Sequence, residues 1–169
     1  MHTAETSAKK KKNPSARVTL QLNVEPEVYK TISNMAKTAE MNIQLFVTQM
    51  IEKQLVANAG NDNPVAARIQ AKHALDEPVI ATVKQMVEAG EFDEHFILRV
   101  FQKLRKDQTF LANYEAASRQ QHVSLNRHIV ILIKSAAKAK NKKGEDGEEI
   151  RFRIKGELIT SYTLLEKKG

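Results

Sequence analysis

The stretch "RVTLQLNVEPEVYKTI", Arg17 to Ile32, carries two periodicities in succession. Val18, Leu20, Leu22 and Val24 alternate with Arg17, Thr19, Gln21 and Asn23. This is the period of two of a β-strand with one apolar and one polar face. The alternation stops at Glu25-Pro26, because proline lacks a ladder donor and its fixed φ suits the first turn of a helix. Val28, Ile32, Met35, Ala36 and Ala39 then fall on one face of a predicted first helix. Asn42 offers a side-chain oxygen to cap a second, on which Ile43, Phe46, Val47, Met50, Ile51 and Leu55 make a wide apolar face.

That face is too wide for a helix with one small partner, and roughly 40 residues cannot enclose an independent core. A homodimer resolves both problems. Two copies of the strand pair antiparallel, burying Val18, Leu20, Leu22 and Val24 against interlocked helices that contribute Ile32, Phe46, Val47 and Met50. Thr19, Gln21 and Asn23 then repeat on the outer face of a two-stranded ribbon. A β-ribbon fits the major groove of double-stranded DNA, where Gln and Asn match adenine in a bidentate manner. Arg17 is placed to reach a guanine or a phosphate. The helix start at Asn42 and Ile43 would present backbone amides to another phosphate.

Strand, "EPEVYKTISNMAKTAE" helix, turn at "MN" and "IQLFVTQMIEKQL" helix resemble the ribbon-helix-helix (MetJ/Arc-type) DNA-binding domains. The resemblance covers about a quarter of the chain and rests on a structural motif, not an invariant signature. It implies an intertwined dimer with its ribbon in the major groove, acting in transcription control, antitoxin autoregulation, plasmid partition or conjugative transfer. By that pattern the base-reading positions are Thr19, Gln21 and Asn23, and the phosphate-clamping helix start is Asn42. The family often has glycine between the helices. Here Ala39-Glu40-Met41-Asn42 has none, which requires a left-handed non-glycine residue or a wider turn.

The rest of the 169 residues supports a polyanionic partner in charge only. There are 27 Lys and Arg against 20 Asp and Glu, a formal net charge of +7. Residues 1–16 read as a disordered basic tail in which Lys9, Lys10, Lys11 and Lys12 form a phosphate-binding arm or a solvated tail. After the ribbon-helix-helix unit at 17–57, residues 58–64, "NAGNDNP", read as a linker. A helical domain follows at 65–140, with helices at about 65–75, from after Asp76 to Gly90, through Phe96, Ile97, Val100, Phe101 and Leu104, and at about 108–121 and 124–139.

A degenerate second unit over 99–133 would match Arg99, Val100 and Leu104 to Arg17, Val18 and Leu22. Ser124 would replace Asn42, and Ile129, Leu132 and Ile133 would replace Val47, Met50 and Ile51. Its strand, however, fits a helix better, and Gln102 would occupy a core position. Residues 141–169 read as a charged linker and a terminal β-hairpin, where Ile150, Phe152 and Ile154 alternate with Arg151, Arg153 and Lys155. That basic stripe either tracks phosphates or is the wet face of an edge strand.

Cysteine is absent, which excludes disulfides and thiol chemistry. His2, His73, His95, His122 and His128 show no ligand spacing and read as surface or helix-end residues. No glycine-rich phosphate loop occurs, so no metal, cofactor or enzymatic activity is predicted. No apolar run approaches the roughly 20 residues that cross a bilayer, and no signal peptide is visible, so a cytoplasmic protein is expected.

The predicted fold is mainly α with a short N-terminal β-ribbon, and the predicted function is sequence-specific regulation of transcription by a DNA-binding homodimer. The alternatives are an antitoxin-like or scaffolding protein-binding module using the C-terminal helical region, and a relaxosome or partition accessory DNA-binding protein.

Overall fold

Proline ends the alternating stretch and starts α1 (Pro26–Thr38) with its ring in the first turn. The computed structural model describes residues 19–39, 41–60, 62–118 and 122–168. The Asn42 side chain accepts the Leu45 amide at 2.8 Å and opens α2 (Ile43–Asn58). Asn63 does the same for the Val65 and Ala66 amides at the start of α3 (Pro64–His73). Then come α4 (Asp76–Glu88), α5 (Phe96–Leu104), α6 (Gln108–Ser118) and α7 (His122–Ala136). Gly90, at φ 73, closes α4, letting the Glu91 amide reach back to the Met86 carbonyl.

Four short strands complete the chain: β1 (Ala139–Asn141), β2 (Arg151–Arg153), β3 (Ser161–Thr163) and β4 (Leu165–Lys167). β1 pairs antiparallel with β4, setting Lys140 opposite Glu166. β2 pairs antiparallel with β3, setting Phe152 opposite Tyr162.

This arrangement overturns the predicted fold class. The strands are C-terminal, and there is no N-terminal ribbon-helix-helix unit. Residues 19–25 belong to no helix or strand. Leu20, Leu22 and Val24 are 68%, 56% and 47% exposed, not buried in a core. Met50 is exposed, and Ile32, Phe46 and Val47 are only half-buried. Alternation specifies which side chains share a face, but burying that face requires a partner that these residues do not have among the described residues. Arg17, Val18 and Lys9 to Lys12 lie outside the described residues. In the turn after α1, Ala39 has φ −81, and the Met41 amide donates to the Ala36 carbonyl at 2.9 Å. Residues 99–104 lie in α5, so the strand of the second unit does not form.

The core belongs to the second part of the chain. Leu75, Val79, Val83 and Met86 of the α4 region, Phe96, Ile97, Val100 and Phe101 of α5, and Phe110 and Tyr114 of α6 pack with Leu125, Ile129 and Ile133 of α7. Ile159, Tyr162, Leu164 and Leu165 bring the C-terminal β-element into the same cluster. Polar clamps fix that element on the helices. Leu165 donates its amide to the Glu94 carbonyl at 3.0 Å, and Asn126 donates to the Leu158 carbonyl at 3.1 Å. His95 Nδ1 lies 2.8 Å from the Tyr162 hydroxyl.

His128 corrects another expectation: it is buried in the helical core, with Nε2 2.7 Å from Asp76 Oδ1. Among the described residues no helix is long and apolar enough to cross a membrane.

Candidate nucleic-acid interface

Thr19, Gln21 and Asn23 are exposed, and among the described residues their side chains make no hydrogen bond. The chain does not bring them onto a ribbon, because the stretch is unpaired. Asn42 acts within the chain as the α2 cap, while Ile43 is half-buried at the first turn. α2 is seated with part of its polar side inward. Gln49 is buried, and Glu52 accepts both the Lys72 ammonium at 2.7 Å and a contact from His73 Nε2 at 3.1 Å. Met50, Ile51 and Leu55 are left facing outward.

At the other end of the molecule β2 and β3 form a small antiparallel pair where the sequence predicts a hairpin. Phe152 meets Tyr162 in a stacked arrangement and His95 edge-on. Strand alternation turns Arg151 and Arg153 to the opposite side. Arg151 is held by Glu149 at 3.3 Å, while Arg153 and Lys155 are exposed and make no ion pair among the described residues.

A second basic feature lies where α7 gives way to β1. "KSAAKAKNKK", Lys134 to Lys143, sets Lys134 in the last turn of α7 and Lys138 in the turn after it, then carries Lys140 and Lys143 along the strand and the loop after it. The antiparallel β4 returns Lys168 to the same place, where its amide donates to the Lys138 carbonyl at 3.0 Å. The result is a groove of about 950 Å³ lined by Lys134, Lys138, Lys140, Lys143 and Lys168, with Asn141, Ser135 and a single carboxylate, Glu149.

Glu149 is held below the usual carboxylate range, first by the hydrogen bond from Asn141 and then by Arg151. Lys140 faces Glu166 at 3.3 Å, and Lys134 donates to Asn141 at 3.3 Å. Lys138, Lys143 and Lys168 make no ion pair among the described residues. Lys142 points elsewhere, to Glu94. Each partner stabilises the other's charge, so the Lys142 pKa is raised and the Glu94 carboxyl is lowered.

Lys138 is also the only non-glycine residue with positive φ, 49°, among the described residues. A left-handed L-residue costs about 1–2 kcal/mol. The chain needs that conformation to turn from α7 into β1, and glycine would supply it without the penalty.

The sequence reading missed this groove. Its signal was the lysine spacing in 134–143, which reads as the end of a helix and a charged linker until β4 closes the other side. Among the described residues no three His, Asp or Glu side chains converge on a common point that would hold a metal ion. No family model, no curated sequence and no solved structure matches this chain at a significant level.

Proposed function

We propose that the protein is a double-stranded DNA-binding regulator of transcription that acts as a homodimer in the cytoplasm. The observation that carries this reading is the state of residues 19–25, where Thr19, Gln21 and Asn23 stand exposed and, among the described residues, make no side-chain hydrogen bond. In the sequence that stretch follows Arg17 and the Lys9–Lys12 run. A polar arm outside helix and strand can enter a DNA groove without a strand partner, its side chains meeting base edges while the preceding cations contact phosphates.

The homodimer is supported by the seating of α2. With Gln49 buried, Met50, Ile51 and Leu55 are exposed, as are Leu20, Leu22, Val24, Val28 and Met35, and these are apolar side chains that a second copy would cover.

The same surface favours a second reading, a protein-binding module of antitoxin-like or scaffolding type in which the captured protein is not a second copy. Selection of bound duplexes from a random pool by the full chain separates the two. The DNA reading expects enrichment of a short site, and loss of that selectivity in Gln21→Ala/Asn23→Ala with the fold retained. No enrichment over bulk DNA overturns it. Sedimentation as a monomer at micromolar concentration overturns the dimer.

A further inference from the structure

The lysine groove between α7 and the β1/β4 pair is separate from the arm at 19–25 and has no role in the reading above. We propose that it is a binding site for the sugar–phosphate backbone of nucleic acid, a second and sequence-independent contact. This inference rests on the DNA-binding reading and adds a place to it.

The lining carries the argument. Lys134 comes from the last turn of α7, Lys138 from the turn after it, and Lys140, Lys143 and Lys168 from the β-element, so lysines stand on two walls. The lone carboxylate in the lining, Glu149, is already committed to Asn141 and Arg151. Lysines on both walls suit a chain of phosphates better than a single anion, because charge is repeated along the groove and not focused at one point. No aromatic side chain lines the groove, so nothing there would stack on a base. A mononucleotide pocket is therefore a poor match, and a passing backbone a good one.

The strained backbone at Lys138 points the same way. A position that would be easiest for glycine holds a lysine, and its carbonyl anchors Lys168 on the opposite wall. Arg151, joined to the groove through Glu149, extends the basic surface towards Arg153.

The test compares the full chain with Lys134→Gln/Lys138→Gln/Lys143→Gln and with the charge-keeping Lys134→Arg/Lys138→Arg/Lys143→Arg. Fluorescence anisotropy follows binding to a duplex of random sequence and to inorganic polyphosphate across a salt series. Each phosphate contact contributes about 0.9 to the slope of log affinity against log salt. The glutamine variant is expected to lower the duplex slope by about 2 to 3 and to weaken every sequence alike, and the arginine variant is expected to restore both. An unchanged slope and affinity in a glutamine variant whose circular dichroism is that of the parent overturns the groove.

If a selected site exists and Gln21→Ala/Asn23→Ala abolishes its preference while the glutamine variant binds like the parent, the groove proposal falls and the regulator reading stands. If no site is selected but the slope falls as expected, the groove stands and the regulator reading falls. Binding of polyphosphate without binding of duplex overturns the backbone assignment, and absence of binding to either probe overturns both proposals.

Discussion

Residues 19–58 and residues 64–168 both form helices, yet only the second region buries its apolar side chains. In α1 and α2 the local start signals are in place, with Pro26 in the first turn of one helix and the Asn42 side chain capping the other. The single buried apolar residue there, among those described, is Ala36. In α4 to α7 the same kind of local signal is joined by Phe96, Phe101, Phe110 and Tyr114 meeting across elements. Helix formation and helix burial are thus separable: the first is decided over a few residues, the second by what lies opposite.

The contrast breaks most sharply at Phe101. Phe101→Ala removes a fully buried ring and is expected to cost about 3–5 kcal/mol in a urea titration. Leu22→Ala, in the exposed stretch, should stay within about 0.5 kcal/mol for the monomer. A comparable loss at Leu22 in dilute protein would show that the first region has a core after all.

Next in size is the contact between Asp76 and His128, which ties the start of α4 to the middle of α7. Asp76→Ala leaves the buried imidazole without its partner and should cost about 1–3 kcal/mol. Its counterpart is Glu52→Gln, at a contact between α2 and α3 in which neither Lys72 nor His73 is as buried as His128. It should cost less than about 1 kcal/mol, read by the same titration.

Lys138→Gly sharpens the comparison from the other side. It relieves the left-handed backbone and should raise stability by about 1 kcal/mol, seen as a higher Tm, while polyanion affinity drops. A lower Tm would show that the lysine side chain stabilises the turn.

The smallest effect is a pH dependence of the C-terminal element. Glu94, Glu149 and Glu157 all have lowered carboxyl pKa values, caused first by hydrogen bonds from Lys142, Asn141 and Gln102 respectively. A lowered folded pKa contributes stability that is present above the ordinary value of 4.5. That contribution is lost as pH falls through the lowered value. Lys142, raised above its ordinary 10.5, contributes fully below that value and loses its contribution as pH rises through the raised one. Amide exchange at Leu165, which bonds the Glu94 carbonyl, should therefore quicken relative to Val100 as pH falls below the ordinary carboxyl value and through the lowered one. Equal protection of both amides across that range would remove these pairs from the account.

The helices were legible because their signals are local. Pro26 and Asn42 mark starts, Gly90 marks a stop, and the apolar spacing of Phe96 to Leu104 marks a face, all within one or two turns of chain. The β-rich character of the last residues was visible in the alternation of Ile150 to Lys155. Its pairing with Ser161–Thr163 was only outlined by Gly156. The candidate site was less legible. Thr19, Gln21 and Asn23 stand exposed, but so does the apolar half of that alternation, which finds no partner among the described residues. His128 could not be assigned to the core from spacing alone, since its burial depends on Asp76 lying across from it.

By itself, then, the sequence determined where helices begin, which residues share a face, and that cations outnumber acids. Only the tertiary structure decided which faces are covered. It seats α2 on α3 with Gln49 inward, leaves Leu20, Leu22 and Val24 open, and carries Lys168 back beside Lys138. The physical reason is range. Capping and backbone geometry act over three or four residues, whereas burial and the summing of charge in a groove depend on groups that meet only when distant segments pack.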